Sequence, residues 1–294
     1  MRSTQAAALG GRFVRIALLG GMWGATGCSL MVDTSQQQCA TNLDCQIRGI
    51  EFAEAMCVDN LCQTDPTWAC TAAAEVPPAQ TAVNATLQVN KLLDRTPAAG
   101  VRATLYTAFD FQLSNPVGAG DTDADGKVSL AVPDGFNGFI YMTAEGVIEP
   151  TILYPTLPVS ESAGFGPAFV GAPGDTNFLV GLLGATPQPD RGTVLMSARD
   201  CQGSGGPGAK FDFEGDMGGS QVFYAFNGLA STTATALDET GQAGIVNVKP
   251  GVVGLDLHAR DKSVSSMSVY VRSDTVTWAT LLPGRLTSNA LVPE

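Results

Sequence analysis

The sequence predicts an all-β protein, with two β-sandwich domains behind a small disulfide-rich N-terminal module and one short helix between the sandwiches. Three observations predict it. Apolar and polar residues alternate with period two in several short runs, the pattern of strands buried on one face. The chain is 45% hydrophobic, enough for folded cores, yet only 15% charged, and its 34 Gly and 17 Pro punctuate it into short elements. An ordered set of strand and turn features also recurs after about 110 residues, a domain-sized spacing. A length of 294 residues agrees with this, since it allows about two domains.

Residues 1–27 are the first element. They hold Arg2, Arg12 and Arg15 and no acid, continue into an apolar run from Ile16, and end in Ala25-Thr26-Gly27 before Cys28. The apolar run of about 12 residues is shorter than the roughly 20 a helix needs to cross a hydrocarbon core, so it reads as a secretory signal. Ala25-Thr26-Gly27-Cys28 resembles the bacterial lipobox, with Ala where Leu is commoner. The resemblance implies that Cys28 is the lipidation site and the first residue after cleavage. An ordinary signal with a cysteine after the cut is the competing reading. Removing three arginines and no acid takes the formal charge from −12 to −15. So acidic a surface gains nothing from anionic lipid, and the membrane would be a partner only through the N-terminal lipid. Ser29 rather than an acid after the cysteine favours the outer membrane or cell surface.

Residues 28–70 are the cysteine-rich module. Seven cysteines is an odd number for an exported chain. With Cys28 acylated, Cys39, Cys45, Cys57, Cys62, Cys70 and Cys201 remain as disulfide candidates, and six cysteines allow 15 pairings. The first four lie in a stretch poor in large apolar residues, which needs crosslinks to hold a shape, so two local bridges are expected there. Cys70, beside Trp68, and Cys201 are left for a long-range bridge. A metal knuckle is disfavoured by the oxidising compartment and the absence of Cys-x-x-Cys spacing.

Residues 71–158 are the first sandwich. Val101, Ala103 and Leu105 alternate with Arg102, Thr104 and Tyr106, as do Val128, Leu130 and Val132 with Lys127, Ser129 and Ala131. Residues 159–191 are a linker in which Asp175-Thr176 caps a short helix over Asn177–Leu183, stopped by Gly184 and Pro187. That helix packs between the sandwiches or docks a partner. Residues 192–294 are the second sandwich, with Ala209, Phe211 and Phe213 against Lys210, Asp212 and Glu214.

The order Gly100-Val101-Arg102-Ala103, Thr122-Asp123-Ala124-Asp125-Gly126, Pro133-Asp134-Gly135 returns as Gly208-Ala209-Lys210-Phe211, Leu237-Asp238-Glu239-Thr240-Gly241, Lys249-Pro250-Gly251. These residues resemble the carboxypeptidase-regulatory-like, or transthyretin-like, sandwich, an Ig-like architecture. The run Cys39-Ala40-Thr41-Asn42-Leu43-Asp44-Cys45 with Met56-Cys57-Val58-Asp59-Asn60-Leu61-Cys62 looks like a Dickkopf-type cysteine-rich module. With the lipobox and Asp200-Cys201-Gln202-Gly203, the combination is similar to surface lipoproteins of myxobacteria. The resemblance implies a non-catalytic β-sandwich protein that scaffolds or binds, and brings no catalytic residues.

Chemistry-bearing motifs are few. The acidic balance and the lack of a Lys/Arg cluster exclude nucleic acid as a partner. A single histidine excludes sites built on two imidazoles. Asp121, Asp123 and Asp125 with Gly126 have the spacing of a calcium loop, but Val132 stands where a bidentate Glu belongs. Asp-Gly before Lys127 equally marks a tight turn. No other cofactor is implied. His258 reads as a surface histidine, with Asp256 about 6 to 7 Å away along the strand, beyond orienting its ring. No Gly-x-Ser-x-Gly elbow is present, so no catalytic residue is assigned and the chain reads as a non-enzyme. Tyr270, Trp278 and the run Phe223-Tyr224-Ala225-Phe226 are core residues or a stacking platform for sugar rings. The resulting expectation is a monomeric, lipid-anchored envelope protein whose partner is another envelope protein or a polysaccharide. The alternatives are a carbohydrate- or calcium-dependent recognition module and an envelope hydrolase.

Overall fold

The computed structural model describes residues 38–48, 55–58, 60–64, 68, 81–157, 159, 164–216, 218–259 and 262–283. The signal segment and Cys28 lie outside them. The fold is built almost wholly of β-strands, with two short helices among the described residues.

In the cysteine-rich module, helix α1 (Asn42–Gln46) precedes a hairpin of β1 (Ala55–Val58) and β2 (Leu61–Thr64). The carboxylate of Asp44 accepts from the Ala40 and Thr41 amides at the start of α1, and these bonds hold its carboxyl below the ordinary range. Two local bridges form, Cys39–Cys57 and Cys45–Cys62, with Cα–Cα separations of 5.7 and 5.5 Å. They replace a core that so few apolar side chains cannot make.

The body continues with β3 (Val83–Lys91), β4 (Arg102–Thr107), β5 (Gly118–Asp121), β6 (Lys127–Val132), β7 (Gly138–Thr143), β8 (Thr151–Tyr154) and β9 (Gly166–Val170). Helix α2 (Asp175–Leu182) follows. The second half supplies β10 (Gly192–Ala198), β11 (Lys210–Glu214), β12 (Gln221–Phe226), β13 (Leu229–Ser231), β14 (Gln242–Val248), β15 (Gly251–Ala259), β16 (Lys262–Val271) and β17 (Val276–Leu281).

One nine-stranded sheet, in the order β13-β12-β14-β10-β17-β8-β7-β4-β5, runs through both halves. The halves join where β17 pairs in parallel with β8, with Val276 opposite Thr151 and Trp278 opposite Leu153. Two three-stranded sheets, β6-β3-β9 and β11-β15-β16, pack on it. Strand β9 falls in the stretch 159–191 that sequence alone assigned to a linker. Its short apolar run pairs in parallel with β3, Leu87 opposite Gly166, and so belongs to the first half.

Side-chain parity shows which layer covers which face. On one face, Leu105, Ile140, Met142 and Leu153 form a core with Leu87, Val89 and Leu130 of β3 and β6. On the other, Tyr106, Phe139, Ile152 and Tyr154 join Met196, Ile245, Leu255 and Val269 of the second half. The first-half strands next to the joint, β7 and β8, are therefore covered on both faces, and β8 is buried at all four positions. That is why Thr151-Ile152-Leu153-Tyr154 reads as a continuous apolar run, while β6, with solvent on one side, alternates fully. Helix α2 takes the remaining face of the second half, seating Val180 and Leu183 on Leu195, Phe223, Val246 and Val276. Its bounds lie within two residues of the predicted helix, but it packs on the sheet rather than between two sandwiches.

Polar ties reinforce the joint. The buried phenol of Tyr154 accepts from the Tyr270 amide at 2.8 Å, and burial pushes that phenol well above its ordinary pKa. The Phe111 ring stacks on Tyr270 at 4.4 Å between centroids, and Arg272 donates to the Phe111 carbonyl at 2.7 Å. Trp68 is buried in the core of the second half, against Gly206.

Phe139 is fully buried and packs against Tyr106 and Tyr154 in the core shared by both halves. Phe139→Ala should lower stability by about 3–5 kcal/mol, read as a shift of the urea midpoint with little change in slope.

Candidate functional site

Strands β8, β17 and β10 run parallel, so their starts lie together at one end of the central sheet. The end of β14, antiparallel to β10, reaches the same place. A cavity of about 400 Å³ opens there, at the seam of the two halves. Its walls come from the loop before β8, the start of α2, the loop from α2 to β10, and the turn before β17.

Glu149 fixes the first two walls to each other. The predicted cap at Asp175-Thr176 is not what starts α2: the N-cap is Gly174 at φ 96°, which has no side chain to offer. Glu149 reaches across instead, accepting from the Gly174 and Thr176 amides at 2.9 and 3.2 Å and from the Thr176 hydroxyl. A carboxylate on these otherwise unpaired amides meets the positive end of the helix dipole. Asp175 turns back to accept from the Ala172 amide at 2.8 Å.

Asn247 fixes the third wall. It is buried, with φ at 58°, a left-handed conformation that Asn tolerates better than most residues. Its Oδ1 accepts from the Gln188 amide and its Nδ2 donates to the Thr186 carbonyl, both at 3.1 Å. Asp274, at φ 52°, donates its amide to the Arg191 carbonyl at 2.9 Å and closes the fourth wall. Arg191 also lines the cavity; its Nη1, closed off from solvent, has no hydrogen-bond partner among the described residues, and its charge, after the Lys249 hydrogen bond, helps to hold the Asp216 carboxyl below its ordinary pKa.

None of the binding or catalytic candidates named from sequence lines this cavity; Thr176, Asn177 and Pro187, read there only as helix cap, start and stop, do. Asp121 ends β5, and Asp123 and Asp125 sit in the turn that joins it to β6. Asp121 pairs with Arg102 at 2.9 Å, and Asp123 accepts from the amides of Asp125 and Lys127 at 2.9 and 2.8 Å. Among the described residues their carboxylates do not gather within metal-ligand reach of one another. Gly126, at φ 73°, lies so close to the Val89 carbonyl that a Cβ would stand 2.4 Å from it. Thr122 is buried, donating to the Ala98 carbonyl at 2.6 Å and accepting from the Val101 amide at 2.9 Å. Tyr270 and Trp278 lie in different layers. Tyr270 is under Phe111, while Trp278 packs between the first-half core and the cluster beneath α2. Within the aromatic run, Phe223 and Tyr224 are buried and Phe226 is exposed.

Cys201 is disulfide-bonded, and the expected partner, Cys70, lies outside the described residues.

His258 corrects the sequence reading in one respect. Its Nε2 lies 2.8 Å from Asp256 Oδ2 and 3.3 Å from Asp212 Oδ2, so it is paired and only 26% exposed. A register shift lies at Leu257/His258, and the two side chains meet across the gap that strand spacing implies. Ser263 donates its hydroxyl to Asp256 at 2.5 Å. The hydroxyl thus sits on the carboxylate, not on the imidazole that would have to take its proton.

No family model matches the sequence, and no curated protein matches it. Among solved structures, the chain is similar to shaft pilin SpaA from Lactobacillus rhamnosus GG, at 13% identity over 69% of this chain and 98% of that one, TM-score 0.24. It is also similar to the Bacillus anthracis TIE protein, at 11% identity over 70% and 35% of the two chains, TM-score 0.23. The minor pilin of Streptococcus agalactiae matches at 13% identity over 68% and 95%, TM-score 0.20. Superpositions this loose establish neither a common fold nor a common function.

Glu149→Ala should cost about 1–2 kcal/mol in a denaturant titration, because it removes the carboxylate that accepts from the Gly174 and Thr176 amides at the start of α2.

Proposed function

We propose that the protein is a lipid-anchored component of the cell envelope whose β-sheet body acts as a scaffold or binding surface rather than as an enzyme. The observation that carries this reading is the signal ending in Ala25-Thr26-Gly27-Cys28, followed by a small module stapled by two disulfides ahead of the β-sheet body. Acylation of Cys28 accounts for the odd cysteine, and the acyl chains supply the attachment that an acidic surface does not. The body suits a load-bearing or presenting role, since its two halves share one sheet and one core. The Asp212–His258–Asp256–Ser263 cluster has the wrong order of hydrogen bonds for activating a serine, which argues against the hydrolase alternative. The partner on this reading is another envelope protein or a polysaccharide, met by a monomer.

Expression of the full chain and its Cys28→Ser variant, followed by membrane fractionation, tests the anchor. The unaltered protein is expected to require detergent for release, and the variant to leave the membrane in aqueous buffer. A variant that still needs detergent would overturn the reading.

A further inference from the structure

We propose that Asn227, and not Asn137, is a site of spontaneous deamidation in the folded protein, its side-chain amide being exchanged for a carboxylate by the Gly228 backbone nitrogen and water. The sequence holds two Asn-Gly pairs in almost identical surroundings, Phe136-Asn137-Gly138-Phe139 and Phe226-Asn227-Gly228-Leu229. Asn is a thermolabile residue, and a following Gly carries no Cβ to hinder its own nitrogen. That nitrogen attacks Cγ of the Asn, the Cγ–Nδ2 bond breaks, and ammonia leaves with the amide proton. Water then opens the succinimide ring so formed. Breaking the bond from nitrogen to Cγ yields aspartate, and breaking the bond from nitrogen to the main-chain carbonyl carbon yields isoaspartate. No oxidant or reductant takes part.

The fold separates the two pairs. Asn227 and Gly228 form the two-residue tip of the β12–β13 hairpin, with Phe226 opposite Leu229 and φ at 53° and 78°. Strand β13 has three residues and is the outermost of the nine-stranded sheet, both tip residues are exposed, and a Cβ built on Gly228 would meet nothing within 4 Å. Ring closure turns the Asn227–Gly228 peptide out of the tip, which disturbs only the end of an edge hairpin and the bond from the Asn227 amide to Asp238. At Asn137 the same rotation breaks into the body. Its carbonyl accepts from the Ala108 amide at 3.0 Å, and its Oδ1 is closed off from solvent. Gly138 is the buried first residue of β7, so near the Tyr106 carbonyl that a Cβ would overlap it. These groups come free only when the sheet itself opens. At Asn227 either product sets a new negative charge beside Asp238, which lies 2.8 Å from the Asn227 amide nitrogen, and isoaspartate lengthens by one methylene a turn whose register is set by two residues. The proposal goes beyond the envelope reading and is independent of whether Cys28 is acylated.

The test is storage of the purified, folded protein in mildly alkaline buffer made with heavy-oxygen water, followed by peptide mapping with mass spectrometry. The Asn227 peptide should lose its amide, take heavy oxygen into the new carboxyl and separate into aspartate and isoaspartate forms. It should convert about tenfold or more faster than the Asn137 peptide, because an exposed tip opens at little cost and a packed strand does not. In urea the two peptides should convert at similar rates, since the fold no longer distinguishes them. Asn227→Gln, whose longer side chain must close a larger ring, should abolish conversion at that position and leave the Asn137 peptide as it was. The proposal is overturned if the Asn227 peptide keeps its amide in the folded protein, if the Asn137 peptide converts as fast there, if the new carboxyl carries no heavy oxygen, or if the difference between the two peptides persists in urea.

Discussion

The parallel pairing of β17 with β8 is the contact on which the rest of the structure depends. Without it the chain would be two small sandwiches with exposed edges, each of which would have to manage an unpaired strand. With it, β8 and β17 become interior strands, buried on both faces. Phe139, Ile152 and Tyr154 then serve a core whose other side chains come mostly from the second half of the chain, from Val194 to Leu281. The cost is a long loop closure before any of these contacts form, which places the joint late in folding on general grounds of topology. The gain is a body without a hinge at its middle.

Much of this was legible in the sequence, for definite reasons. Period-two alternation is produced by strands with one wet face, and β6 and β11, which keep such a face, were read from it directly. The cysteine run was equally legible, because a segment with so few apolar residues has no other means of holding a shape. The shared sheet was not legible. Thr151-Ile152-Leu153-Tyr154 carries no period, since both of its faces are covered, and nothing local says that its neighbour is Val276–Leu281. Strand β9 was missed for a related reason, being five residues long and paired with a strand some 80 positions earlier. The cavity at the seam was invisible as well: Glu149, Arg191 and Asp274 come from three separate loops and Asn247 from the end of β14, and only the arrangement of β8, β17, β10 and β14 brings them together.

His258 shows the limit of reasoning from strand spacing. Cβ positions two residues apart are too far for a hydrogen bond, but side chains lean and strands shift register, and Asp256 meets the ring. The same geometry places Ser263 on the far oxygen of Asp256. A carboxylate shared by an imidazole and a hydroxyl is a surface polar network, which ties β11, β15 and β16 together rather than preparing a nucleophile. The calcium-like spacing of Asp121, Asp123 and Asp125 resolves in a comparable way. One carboxylate is used by an arginine and another by the turn's own amides, so the acids serve the corner between two sheets.

The central claim is that both halves of the body are one cooperative unit, and scanning calorimetry of the purified protein tests it most directly. A single endotherm for the body, with calorimetric and van't Hoff enthalpies in agreement, is the predicted result. Two resolved transitions, or a calorimetric enthalpy near twice the van't Hoff value, would mean that the halves fold independently and would contradict the account.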